Sequence, residues 1–188
     1  MTQQTELSAE LAQYGRDALA AWSAAVGRVG ADDLERPTPC AEFSIADLID
    51  HVRGSMRLLG ESAGPPLEEP SDLSPQEQTL ALADAALAAW AGRGTDGEAP
   101  VGSRTLPAGQ VYAIVLMELA VHGWDLERAL GAPDARPDLP APLVEHLIAQ
   151  AQLLITPDRR GKGFAEAVVV GTHARALDRL VGFTGRTP

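Results

Sequence analysis

The stretch VYAIVLMELAVHGWDLERAL, from Val111 to Leu130, has the apolar spacing of one helix that lies in a protein core. Steps of three and four residues predict its inward face, which comprises Val111, Ile114, Val115, Glu118, His122, Asp125, Leu126 and Ala129. Glu118 and His122 are one turn apart on this face, so their side chains can bind one common ion. Burying a bare carboxylate costs several kcal/mol unless it is paired or binds a metal. The stretch therefore predicts a divalent metal ion at Glu118 and His122, with a Glu–His hydrogen bond in the core as the alternative.

Helical spacing continues through most of the chain and predicts four long amphipathic helices and a fifth, shorter one. Two of the helix starts are marked by local signals. Ser44 and Asp47 form a capping-box pattern, and Ser74, Pro75 and Glu77 form a second one with proline in the first turn. The expected ends of the five helices are about Arg28, Glu61, Ala91, Gly131 (with Pro133 just beyond) and Ile155.

These elements predict an all-α protein: a four-helix bundle with an additional C-terminal helix and a short irregular or extended tail. The 188 residues suit a single domain, with its core over about 7–155 and an appendage over about 156–188. Residues 92–107 are expected to form a polar, glycine-rich loop. In the tail, 165–170 suits an extended segment, and Thr172 is expected to cap a short helix over about 173–181.

Two further expectations concern helix faces. The third helix is predicted to face inward with Leu80, Ala83, Leu87 and Trp90. On the fourth helix, Leu116 is expected on the outer side, where an exposed leucine would permit a homodimer.

Composition excludes several classes of partner. The net charge of -11 disfavours binding to nucleic acid or to an anionic membrane surface. No run approaches the ~20 apolar residues that a membrane-spanning helix needs. The N-terminus lacks the pattern of a secretory signal, and a single cysteine allows no internal disulfide. We expect a soluble, cytoplasmic protein.

The third metal ligand has to come from another part of the chain. The sequence contains no H-E-x-x-H motif, which argues against a protease of the zincin class. His51 is the leading candidate, although its spacing places it at the boundary of the second helix's apolar face. His146 and His173 are weaker candidates, since His146 has no carboxylate or histidine one turn away and His173 lies in the irregular tail.

Two stretches resemble a known family: PTPCAEFSIADLIDH at 37–51 and MELAVHGWDLERALG at 117–131. They are similar to the two signatures of the mycothiol-dependent maleylpyruvate isomerase family, within the DinB/YfiT-like superfamily of four-helix metal-binding bundles. The tail ARALDRLVGFTGRTP at 174–188 also resembles the ending of an actinobacterial metal-binding branch. One departure is Phe43, where the family often has tryptophan.

The resemblance implies a metal site formed by His51, Glu118 and His122, and mycothiol as cosubstrate. Zn²⁺ is the expected ion, with Ni²⁺ or Fe²⁺ as alternatives. The implied function is a thiol transferase or isomerase that acts on an electrophilic small molecule, with the metal keeping the thiol as thiolate. Two alternatives stay open. One is a metal-dependent hydrolase that uses metal-bound water, and the other is a non-catalytic metal-binding bundle.

Three neighbouring features have two interpretations each. Asp125 could accept a hydrogen bond from the imidazole of His122 and fix its tautomer, or it could pair with Arg128 at the helix end. Cys40 is expected to be a buried small residue rather than a reactive thiol.

Arg53 and Arg57 are expected on a solvated helix face rather than at an anion site.

Overall fold

Six α-helices and one β-hairpin make up the described part of the computed structural model, which covers residues 2–40, 43–64, 66–131, 137–161, 164–171 and 173–188. The helices are α1 (Thr2–Val26), α2 (Ile45–Glu61), α3 (Pro75–Arg93), α4 (Ala108–Ala129), α5 (Ala141–Leu154) and α6 (Ala176–Phe183). The strands are β1 (Glu98–Val101) and β2 (Arg104–Pro107), and single 3₁₀ turns occur at Ala31–Asp33 and Pro157–Arg159. The predicted all-α class is confirmed.

Both predicted capping boxes are present. Ser44 Oγ accepts a hydrogen bond from the backbone N–H of Asp47 at 3.2 Å, and Asp47 Oδ2 accepts one from the backbone N–H of Ser44 at 3.0 Å. Ser74 and Glu77 make the same reciprocal pair at the start of α3, at 3.3 and 2.9 Å. Each box satisfies backbone N–H groups that the first turn of a helix leaves without a partner.

The first four helices pack in a ring. Helix α1 contacts α3 and α4, and α2 contacts the same two helices. Helix α2 approaches α3 closely at Gly60, where an added Cβ would lie 2.8 Å from the Cβ of Ala86 and 3.0 Å from its Cα. One turn further along α3, the buried indole of Trp90 donates its N–H to the carbonyl of Leu59 at 2.9 Å. This packing fixes α2 in the bundle.

Helix α4 is buried on almost every side, because α1, α2 and both strands of the hairpin contact it. The expectation that Leu116 lies on an outer, exposed side was therefore wrong, since that side chain is fully buried. Dimerisation stays a prediction, and it no longer has support from Leu116.

Two other local expectations were also wrong. The region 92–107 contains the antiparallel hairpin β1–β2 rather than only a loop, with Gly102 at the turn in a left-handed conformation (φ 58°). The inward face of α3 is rotated from the predicted one: Leu80 and Leu87 are only partly buried. The buried residues are Thr79, Leu82, Ala83, Ala86 and Trp90.

The chain divides into two compact units, Met1–Pro137 and Asp138–Pro188. The second unit contains α5 and α6, which contact each other and are linked by an ion pair between Arg179 and Glu145. Helix α6 begins three residues later than the sequence suggested, and Thr172, its predicted cap, lies outside the described residues, as does Pro133. The expectation of a single domain over 1–188 stays a prediction.

Within the second unit, the segment 165–170 forms no regular strand, although Val168 donates a backbone hydrogen bond to Gly182 at 2.9 Å. Across the described residues of both units, the helices are all too short or too polar to traverse a lipid bilayer.

Candidate metal centre

Helices α2 and α4 bring the three predicted ligand residues together. Nε2 of His51, on α2, lies 3.2 Å from Oε2 of Glu118 on α4. Nε2 of His122, one turn along α4, lies 3.7 Å from the same carboxylate oxygen. One nitrogen from each imidazole and one carboxylate oxygen all lie within 4.8 Å of one another. Two imidazoles and a carboxylate thus converge on one point, while their role as metal ligands stays a prediction.

The imidazole of His51 contacts two other rings, those of His122 and Phe43. The imidazoles of His51 and His122 meet almost at right angles (85°), with their centroids 5.1 Å apart. On its other side, His51 lies against the ring of Phe43, with the centroids 5.3 Å apart and the planes tilted by 42°. Phe43, which the sequence singled out as a departure from the family pattern, therefore helps to position a predicted ligand.

Exposure falls steadily across the cluster. The side chain of His51 is 37 % exposed, that of Glu118 is 20 % exposed and that of His122 is 8 % exposed. His51 therefore lies at the boundary of the apolar face of α2, as its spacing predicted, and it also reaches the cluster. A small molecule would approach from the His51 side, since His122 forms the inner wall.

Glu118 is the electrostatic centre of the cluster. Burial raises the pKa of its carboxyl, but the interactions with His51 and His122 and a hydrogen bond from the Ser55 side chain together outweigh burial and hold the pKa below its ordinary value. Glu118 is therefore ionised near neutral pH. Its Oε2 atom is buried, and among the described residues no donor is aligned to form a hydrogen bond with it, although the nitrogen of His51 is within reach.

That combination leaves a buried anionic oxygen faced by two imidazole nitrogens. An imidazole that carries its only proton on the nitrogen facing away presents a lone pair to the carboxylate and cannot neutralise it. A divalent cation can do so, and it also accepts imidazole nitrogen and carboxylate oxygen as ligands. The donor set and the unsatisfied oxygen therefore fit a metal ion.

Asp125 orients His122. Its Oδ2 atom is 2.9 Å from Nδ1 of His122, and its side chain is fully buried. A proton on Nδ1 donated to this carboxylate leaves the lone pair of the imidazole on Nε2, which faces Glu118. Arg128, the alternative partner considered for Asp125, places its guanidinium over the ring of Trp124, 5.3 Å from the centroid. The geometry favours the orienting role for Asp125.

Cys40 lies beside the cluster, which residue spacing did not predict. It is half-buried rather than buried, and its sulfur belongs to a second group of close potential ligands with His122 and Asp125. It precedes α2 by only a few residues, so the one available signal was its position just before the helix that carries His51.

The remaining candidates lie elsewhere. Among the described residues, neither His146 nor His173 belongs to a cluster of three potential ligands. Arg53 and Arg57 both pair with Glu69, from the connection between α2 and α3, and Arg53 also pairs with Asp50. The two arginines thus fasten the connecting segment to α2; Arg57 is exposed, as predicted, whereas Arg53 is partly buried.

Comparison with known proteins gives a match to one family model, described as the mycothiol maleylpyruvate isomerase N-terminal domain, over residues 15–127. That range contains Cys40, His51, Glu118, His122 and Asp125. The chain is also 33 % identical over 174 residues to an uncharacterized protein of Mycobacterium tuberculosis, found in two strains. The alignment spans 89 % of this chain and 92 % of that protein. No solved structure matches.

Proposed function

Because the chain belongs to the mycothiol maleylpyruvate isomerase N-terminal domain family, we propose that it is a metal-dependent enzyme that uses mycothiol as cosubstrate. The reaction is transfer of the thiol sulfur to an electrophile, or isomerisation of a conjugated double bond by addition and elimination of the thiol. We place the protein in the cytoplasm, where low-molecular-weight thiols are kept reduced.

One observation supports the proposal above all others: the buried Oε2 atom of Glu118 faces Nε2 of His51 and Nε2 of His122 at 3.2 and 3.7 Å. Three protein ligands of this kind suit Zn²⁺, and also Ni²⁺ or Fe²⁺, and leave coordination positions for a substrate. Bound there, the cation would supply the positive charge that keeps a thiol ionised at neutral pH.

The chain's own residues then determine where the substrates lie. Asp125 holds the Nδ1 proton of His122 and so keeps the Nε2 lone pair directed at the centre. Phe43 packs against His51, which is the most exposed member of the cluster and so borders the path of access. The buried His122 and Asp125 close the inner side and exclude water there, so that the thiol and the electrophile meet on the His51 side.

Calorimetric titration with mycothiol tests the cosubstrate. We expect mycothiol to bind the Zn²⁺-loaded protein and not the metal-free protein, and we expect His51→Ala to abolish binding. His173→Ala is the matched control, because His173 is exposed and lies outside the cluster. If mycothiol does not bind the Zn²⁺-loaded wild type, the cosubstrate assignment is wrong.

Turnover assays separate the proposal from a hydrolase with the same centre. The thiol-dependent enzyme should leave a panel of esters and amides intact when no thiol is added. Hydrolysis of these compounds without thiol would instead favour a water nucleophile.

A further inference from the structure

A second group of ligand-type atoms also includes His122. The sulfur of Cys40, one ring nitrogen of His122 and one carboxylate oxygen of Asp125 all lie within 4.8 Å of one another. Cys40 comes from the segment before α2, and neither it nor Asp125 belongs to the group formed by His51, Glu118 and His122. The two groups therefore share only the imidazole of His122.

The two ring nitrogens of His122 face different partners. Nε2 lies 3.7 Å from Oε2 of Glu118, whereas Nδ1 lies 2.9 Å from Oδ2 of Asp125. Glu118 and Asp125 are on opposite sides of His122 along α4, one turn before it and one turn after it. The imidazole of His122 thus belongs both to a group with only nitrogen and oxygen atoms (His51, Glu118) and to a group that contains sulfur (Cys40, Asp125).

We propose that Cys40, His122 and Asp125 form a second metal site, selective for thiophilic divalent cations such as Cd²⁺. A tetrahedral site with one sulfur, one nitrogen and one oxygen ligand needs its ligand atoms about 3.3–3.6 Å apart. The sulfur of Cys40 lies within 4.8 Å of a ring nitrogen of His122 and a carboxylate oxygen of Asp125, so a change of the half-buried Cys40 side chain to another rotamer is the adjustment that brings the sulfur onto a shared cation. Soft cations prefer a thiolate to the two imidazoles and carboxylate of the other group.

The two sites exclude each other because they share His122. This consequence rests on the proposed function, in which His122 is a ligand of the centre with His51 and Glu118. Cation binding releases the thiol proton of Cys40 to solvent. A cation on Nδ1 leaves the ring proton of His122 on Nε2. Nε2 then has no lone pair for a cation at Glu118. A thiophilic cation therefore withdraws His122 from the other centre, and each chain binds one cation at a time.

Ultraviolet titration with Cd²⁺ tests the site, because cadmium bound to a thiolate gives a sulfur-to-metal charge-transfer band and Cys40 is the only cysteine. We expect the band to saturate at one Cd²⁺ per chain in the wild type. It should disappear in Cys40→Ser, a change of one atom that spares the fold, and remain in Glu118→Ala. Circular dichroism of each variant checks that the helices are intact.

Three results would overturn the proposal. One is no charge-transfer band in the wild type, and another is binding of two Cd²⁺ ions per chain. The third is loss of the band in folded Glu118→Ala, which would place Cys40 at the Glu118 centre. A parallel Ni²⁺ titration separates the two assignments. Ni²⁺ binding that persists in Glu118→Ala would count against the proposed function, while a persistent Cd²⁺ band would still support the thiophilic site.

Discussion

His122 and Asp125 are three residues apart on α4, and Nδ1 of the imidazole lies 2.9 Å from Oδ2 of the carboxylate. Asp125 is fully buried, so this contact is made away from water. Such a contact selects one tautomer and one ring orientation. The other ring nitrogen of His122, Nε2, approaches the carboxylate of Glu118. The placement of His122 against Glu118 therefore depends on Asp125, two turns further along α4.

Replacing Asp125 by asparagine should weaken Ni²⁺ binding about 10- to 100-fold, because an amide holds the tautomer less firmly than a carboxylate does. Isothermal titration gives the affinity directly. Asp50→Asn is the control, since Asp50 is exposed and pairs with Arg53 away from the cluster. Equal Ni²⁺ affinities for Asp125→Asn and wild type would show that Asp125 does not orient His122.

Two glycines of α2 should respond oppositely to alanine. Gly60→Ala places a methyl group 2.8 Å from the Cβ of Ala86, so we expect a net loss of about 1–2 kcal/mol in the free energy of unfolding. Gly54 is exposed with open space around it, and Gly54→Ala should stabilise by about 0.5–1 kcal/mol. Urea unfolding measures both. A shift of the same sign in the two variants would contradict the close packing of α2 on α3.

Ser44→Ala removes the N-cap of α2, the helix that carries His51, and should lower the free energy of unfolding by about 1 kcal/mol. Ser74→Ala removes the equivalent cap of α3 and should cost a similar amount. Denaturant unfolding of the two variants and the wild type measures these losses. An unchanged melting midpoint in both variants would mean that the caps contribute nothing to stability.

Acid should remove part of the stability through the same caps. Hydrogen bonds from the Ser44 side chain and backbone hold the pKa of Asp47 below its ordinary value, and Ser74 does the same for Glu77. A folded-state pKa below the unfolded one stabilises the fold above the unfolded pKa. That stabilisation is lost as pH falls through the folded pKa.

The free energy of unfolding should therefore decline as pH falls below about 4, and less steeply in Asp47→Asn/Glu77→Gln than in the wild type. Urea melts at a series of pH values measure the slope. Identical slopes in the two proteins would rule out this contribution of the caps.

The helix starts could be predicted from sequence because their signals are local. Ser44 with Asp47 and Ser74 with Glu77 satisfy backbone N–H groups within a single turn, whatever surrounds the helix. The orientation of Glu118 and His122 towards the same side also follows from helix geometry alone.

Other features depend on contacts between distant segments. Helix α3 is rich in alanine and leucine on several sides, so its apolar pattern did not distinguish the buried Leu82 from the partly buried Leu80. The hairpin lies in a polar stretch of sequence. Its turn signal was the Gly102–Ser103 pair between the two short strands. The approach of Cys40 to His122 has no counterpart in residue spacing, since it arises from the packing of the bundle.

Metal analysis after reconstitution measures whether Glu118 and His122 hold a cation. Wild-type protein that is incubated with Zn²⁺ and then desalted should retain about one ion per chain. The Glu118→Ala/His122→Ala variant should retain far less, while His173→Ala should match the wild type. Stoichiometric zinc in a folded Glu118→Ala/His122→Ala protein would contradict the account, because the buried carboxylate and imidazole would then not be what holds the ion.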